Sequence, residues 1–224
     1  MNIRARKIIT NVVKNRLTDY LGFDVDLLYK EADYVAIFGG CVRDSINGDT
    51  INDVDILCLY NSAKILVSAL TEQGYKEVEY IKKDMVGLYK DIKVINEPTT
   101  YIKGGSIVQI IKPALEFGEN NIYKAYSELL YNVDLSCCGV YYDGIHVKES
   151  INESIYRIML KDFHKVHDAK MISEDRIIHR INKMTDRGWN YYESWHTMPD
   201  IDINIINNYI KVMERDVTID SILT

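Results

Sequence analysis

Gly39-Gly40-Cys41-Val42-Arg43-Asp44, followed nine residues later by Asp53-Val54-Asp55-Ile56, is the stretch on which the reading of this chain turns. It is preceded by Tyr34-Val35-Ala36-Ile37-Phe38, a short apolar run with a glycine terminator, which reads as a buried strand. Two glycines at the end of a strand, opening a helix, let backbone N–H groups approach a phosphate with no Cβ in the way. Arg43, one turn into that helix, is placed to add a charge-assisted contact to the same anion. Val54, Ile56 and Leu57 mark a second strand, and alternation sets Asp53 and Asp55 on one of its faces. Two carboxylates forced together are costly unless a cation sits between them, and magnesium prefers such hard oxygen ligands. A triphosphate cradle beside an acid pair is the equipment of two-metal phosphoryl transfer, with Asp53 and Asp55 as catalytic metal ligands.

Outward from this stretch, Arg4 to Tyr29 carries Ile8, Ile9, Val12, Val13, Leu17 and Leu21 at helical spacing, with a break at Gly22 that gives a long helix and then a shorter one. Ser62 to Glu72 reads as a helix with Ser62 as N-cap. From Tyr75 to Pro113 the pattern turns to β, with Tyr75–Tyr80, Ile92–Ile95 and Ser106–Ile111 as strands and Gly104-Gly105 as a turn. Ile122 to Tyr131 reads as helix. Asn132 to Tyr142 reads as strand, turning at Asp143-Gly144 into Ile145-His146-Val147. After Ile151 only helical periodicity is expected, over Ile155–Val166, Ser173–Arg187 and Ile203–Glu214. The expected fold class is α/β (α+β): a catalytic domain over 1–150 with a mixed central sheet flanked by helices, then a helical neck-like extension over 151–224. No linker separates them, so one body is expected.

With these elements in order, Gly39 to Ile56 resembles the signature of the DNA polymerase β-like nucleotidyltransferase superfamily. The class II tRNA CCA-adding enzymes and bacterial poly(A) polymerases carry G-G-x-V-R-D followed by D-x-D, and about eighteen contiguous residues here have that pattern. The resemblance implies a nucleotidyltransferase head, with Gly39 and Gly40 on the triphosphate and Arg43 and Asp44 supporting the nucleotide site. It implies two magnesium ions on Asp53, Asp55 and a third carboxylate on a later strand. Asp91 and Asp134 are the candidates, and Asp134 fits better because Asp134–Tyr142 is similar to the family's R-R-D-F-T-x-N-A segment. The departures are Asn132 and Val133 in place of two arginines, and Cys138 in place of the asparagine. Ser173-Glu174-Asp175-Arg176 is similar to the family's E-D-x-x-R segment, although position 178 holds Ile178. Arg176, Arg180, Lys183 and Arg187 instead form one basic helical stripe, with Arg176 and Arg180 as nucleotide-binding candidates; a solvated face paired to Glu174, Asp175 and Asp186 is the competing reading.

Composition bounds the partners. Of 224 residues, 27 are basic and 33 acidic, so a net charge of −6 argues against a generic nucleic-acid coat and leaves room for one local basic groove. No run reaches the roughly 20 apolar residues of a membrane helix, and the N-terminal pattern is amphipathic, so a cytosolic protein without membrane partners is expected. Cys41, Cys58, Cys137 and Cys138 form no C-x-x-C pair and read as reduced, buried thiols. His164 and His167 read as a surface pair, and Trp189, Tyr191, Tyr192 and Trp195 as helix-packing aromatics with base stacking as the alternative. The implied partners are a nucleoside triphosphate (ATP or CTP) and an RNA or tRNA 3′ end. A protein or small-molecule acceptor, a non-catalytic nucleotide- or RNA-binding descendant, and homodimerisation all stay open. The roughly 75 residues after the head suit a partial neck better than a tRNA-measuring body.

Overall fold

Ile8, Ile9, Val13, Leu17 and Leu21 lie buried along one side of the first helix, α1 (Ile3–Leu21). Asn2 caps its start by accepting a hydrogen bond from the Ala5 N–H, and Gly22, at φ +71°, ends it in the left-handed conformation glycine adopts without strain. A 3-10 turn (Val25–Leu28) follows where a second helix was expected. The computed structural model describes residues 1–78, 98–112, 126–127, 130–131, 133–166 and 174–223.

The remaining elements are β1 (Val35–Phe38), α2 (Gly40–Asn47), β2 (Val54–Cys58), α3 (Tyr60–Glu72), β3 (Lys76–Val78), β4 (Thr99–Lys103) and β5 (Ser106–Ile111). They are followed by β6 (Val140–Tyr142), β7 (Val147–Glu149), α4 (Ser154–Leu160), β8 (Asp162–His164), α5 (Glu174–Asp186), β9 (Asn190–Tyr192) and α6 (Ile203–Leu223). Seven strands form one mixed sheet in the order β3-β4-β5-β2-β1-β6-β7, in which β2 and β5 run parallel and the other neighbours antiparallel. This is the α+β architecture anticipated, with helices over the sheet.

The two sheet faces differ. Val35, Ile37, Val54, Ile56, Cys58, Val108 and Ile110 enter the main core with α1, α2 and α3. Ala36, Leu57, Ile111 and Leu130 form a second, smaller apolar cluster, joined by the partly buried Phe38, Tyr126 and Tyr141. The main core continues into the C-terminal part through Ile155, Phe163, Met184, Trp189, Ile206 and Met213.

Four local expectations are corrected. Ser62 is not the N-cap of α3: the helix starts two residues earlier, at Tyr60, and the Ser62 hydroxyl donates to the Asp33 carbonyl. Ser136–Cys138 is a 3-10 turn and not strand, since only Val140–Tyr142 finds a β partner, along β1 and β7. Helix α4 stops at Leu160, where Lys161 takes a left-handed conformation. Beyond it β8 and β9 pair as a small parallel sheet, Phe163 opposite Tyr191, in a region read as wholly helical. The Ile92–Ile95 run lies outside the described residues.

Candidate active site

The β1–β2 register decides the geometry. Phe38 pairs with Asp55 across antiparallel strands, and Gly39, which follows Phe38 directly, caps α2. The glycine corner therefore adjoins the start of β2, where the acid pair lies. Asp53 and Asp55 are both half-buried, while Val54 and Ile56 between and after them are fully buried on the opposite face. The Cys41 thiol, in the first turn of α2, donates to the Phe38 carbonyl at 3.3 Å. Burial, followed by the negative charge of Asp55, pushes that thiol well above its ordinary range.

Gly39 has φ +74° and ψ −129°, a backbone conformation essentially restricted to glycine, with open space where its Cβ would stand. Gly40 is under no such constraint: a Cβ there would meet the Arg43 guanidinium at an ordinary 3.5 Å. Arg43 thus lies beside the corner.

Beneath the acid pair the sheet supplies a floor. Across one row on the same face run Tyr141, Phe38, Asp55, Gln109 and Thr100. Gln109 is the residue that the parallel β2–β5 register sets beside Asp55, and it donates to the Thr100 hydroxyl at 3.3 Å. No carboxylate occupies that neighbouring position. Among the described residues no three His, Cys, Asp or Glu groups converge into a metal cage. Two hard oxygen donors beside an open glycine corner nevertheless fit magnesium, which is commonly held by one or two carboxylates together with substrate phosphates.

Asp134 is placed apart from a three-acid arrangement. It is 2% exposed, precedes the 3-10 turn, and its carboxylate pairs with Arg180 at 2.8 Å. Asp91 lies outside the described residues. Around Asp134 the structure gathers side chains that the sequence scattered. Arg43 donates to Asp44 through Nε at 2.7 Å and to the Cys138 sulfur through Nη1 at 3.4 Å, with its guanidinium 5.7 Å from the Trp189 ring centre. Arg180 reaches the same sulfur at 3.5 Å. Arg187 reaches Asp44 at 3.2 Å and Asp49 at 3.3 Å. Arg176, Arg180 and Arg187 are half-buried while Lys183 is exposed, so the arginines of the basic stripe turn toward the body of the protein.

Two contributors carried no signal in the sequence. Asp49, in the loop before the acid pair, is gripped from three elements: its carboxylate by Lys161 and Arg187, its carbonyl by Arg16 at 2.5 Å. The Tyr20 hydroxyl donates to the Asn52 carbonyl at 2.7 Å and accepts from the Ile107 N–H at 2.9 Å, holding the approach to Asp53 against the start of β5. Both are long-range contacts, invisible to local periodicity. All four cysteines are free and buried. Trp189 packs inside against Phe163, while Trp195 is exposed and stacks on His196. His164 lies in β8, and His167 is outside the described residues.

No protein-family model matches the sequence, and neither does any curated protein; the likeness to known proteins is one of structure. The structure of a CCA-adding enzyme with CTP superposes at TM-score 0.55 and 14% identity, covering 96% of this chain and 47% of that one. A CCA-adding enzyme with ATP gives 0.55 at 18% identity, over 84% of this chain and 42% of that one. The Thermotoga maritima CCA-adding enzyme complexed with tRNA-CCA gives 0.53 at 14%, over 94% and 45%. The chain has the fold of a nucleotidyltransferase head. It spans a little under half the length of each of those enzymes. Among the described residues no helix is long and apolar enough to cross a membrane.

Proposed function

We propose that this chain is a magnesium-dependent nucleotidyltransferase that moves a nucleoside monophosphate from a bound triphosphate, ATP or CTP, to the 3′ hydroxyl of an RNA. The observation that supports it most directly is the pairing of Phe38 with Asp55, which joins the glycine corner to the acid pair. Asp53 and Asp55 would hold magnesium, which when bound lowers the hydroxyl's pKa and neutralises the leaving pyrophosphate. Gly39 and Gly40 open the N-terminus of α2, whose first-turn N–H groups point out for an anion and whose dipole favours one. Arg43 and Arg180 bring positive charge to that side of the site, and Asp44 holds Arg43 by its Nε. A bond forms between the hydroxyl oxygen and the α-phosphorus, the bond to the bridging oxygen of the β-phosphate breaks, and the hydroxyl proton leaves to solvent. Asp134, paired to Arg180, serves here by orienting that arginine. The RNA acceptor rests on the structural likeness to CCA-adding enzymes.

Incubation with labelled ATP or CTP, magnesium and total RNA, followed by sequencing of RNA 3′ ends, tests this reading. Label entering protein or small molecules instead of RNA would keep the chemistry and replace the acceptor. Asp53→Asn and Asp55→Asn should each lower transfer at least about a hundredfold, since each decade is about 1.36 kcal/mol and a metal ligand contributes several. Transfer within about tenfold of the parent in both variants removes the metal role.

A further inference from the structure

Cys138 closes the 3-10 turn Ser136–Cys138 and is 5% exposed. Guanidiniums from two different helices meet at its sulfur, Arg43 Nη1 from α2 at 3.4 Å and Arg180 Nη2 from α5 at 3.5 Å. Two cations brought to one buried point repel unless an anion lies between them. The carboxylates nearby are already engaged: Asp44 is shared by Arg43 and Arg187, and Asp134 pairs with Arg180 through Nη1, the nitrogen that does not reach the sulfur. A neutral thiol is only a weak acceptor for such donors, whereas a thiolate supplies the missing charge.

We propose that Cys138 is a positioning residue for the nucleotide site: its sulfur, as a thiolate, is the internal anion that draws Arg43 and Arg180 together beside Gly40. The inference rests on the nucleotidyltransferase reading and assigns how that site's arginines are set. The groups facing the sulfur are Arg43 of α2, whose Nε is held by Asp44, Arg180 of α5, Asp134 before the turn, and Cys137 within it. Their balance favours the anion. The hydrogen bond from Cys137 is foremost, and with both arginines it outweighs burial and the Asp134 charge, bringing the thiol down to about 6. Both guanidiniums reach the Cys138 sulfur, so of the adjacent pair Cys137 and Cys138 the thiolate is assigned to Cys138.

The test compares the parent with Cys138→Ser, which keeps the size and loses the charge, and Cys138→Asp, which keeps an anion. Thiolate ultraviolet absorbance is followed against pH, and ATP and CTP dissociation constants are measured with magnesium. The parent should show an absorbance step near pH 6 that Cys138→Ser lacks. Cys138→Ser should bind nucleotide about tenfold more weakly, with most of that loss restored in Cys138→Asp, as expected when one charge-assisted contact is removed and replaced. Absence of a step below about pH 8, or affinity in Cys138→Ser within about twofold of the parent, overturns the proposal. If Cys138→Ser does not fold, the parent alone decides: its affinity for ATP with magnesium should fall as pH drops through the absorbance step, and an affinity that stays flat across the step sinks the proposal. A parent that binds neither ATP nor CTP overturns both readings, whereas tight parental binding indifferent to position 138 overturns this one alone.

Discussion

The thiolate proposed at Cys138 also predicts how stability responds to pH. That thiol is held down from an ordinary 9.0 to about 6, first by the Cys137 hydrogen bond and then by Arg43 and Arg180. A group whose folded pKa is depressed stabilises the fold above its unfolded pKa, and that contribution is lost as pH falls through the folded value. The stability difference between the parent and Cys138→Ser should therefore grow from pH 6 to pH 9, by at most about 1.4 kcal/mol per pH unit. Above pH 9 Cys137, whose thiol burial pushes well upward, acts in the opposite direction. Urea denaturation of both proteins at several pH values measures this, and a difference that shrinks with rising pH across that window contradicts the thiolate. Single residues were unevenly legible. The nearness of Asp53 and Asp55 could be read because strand alternation is a local rule, while the ion pair of Asp134 could not. Its partner, Arg180, lies 46 positions away and reaches it only through the packing of α5.

At the scale of elements, strand register is what sequence leaves undecided, and it sets the neighbour of Asp55. The β2–β5 pairing puts Gln109 there, 2% exposed, where a neutral amide takes the place of a third acid. Gln109→Glu should therefore tighten manganese binding by about tenfold, since ligand charge count sets affinity at oxygen sites. The same change should lower the melting temperature without metal, because a third carboxylate is buried beside two others. Manganese titration by electron paramagnetic resonance, paired with melts in chelator, reads both; unchanged affinity would place position 109 outside the metal site. Helix α2 and strands β1 and β2 were legible from an apolar run, a glycine break and β-branched residues. The β8–β9 sheet was not, because three-residue strands such as Asn190–Tyr192 are too short to show a period and exist only through their partner.

At the scale of the molecule, the C-terminal helices act on the head through the loop before the acid pair. Arg187 spans from the end of α5 to Asp44 and Asp49, and Lys161, just past α4, adds a second hold on Asp49. Without Arg187, Asp44 keeps Arg43 and Asp49 keeps Lys161, so Arg187→Ala should cost only about 1 kcal/mol of global stability. It should still free the loop locally, raising amide exchange across residues 49–53 and weakening magnesium-dependent nucleotide binding. Exchange in that loop matching the parent's would show that the helices brace the fold and not the site.

Residue order alone specified a strand, a glycine break, a helix and a strand carrying two acids on one face. Those features depend on neighbours within a few positions, where propensity and alternation operate. The tertiary structure decided which side chains surround that stretch: Gln109 beside Asp55, Tyr20 and Asp49 fixing the loop, and Cys138 between two arginines. Each of those contacts joins segments dozens of residues apart in the chain, and only strand register, for Gln109, and the packing of helices from distant parts of the chain, for the others, bring them together.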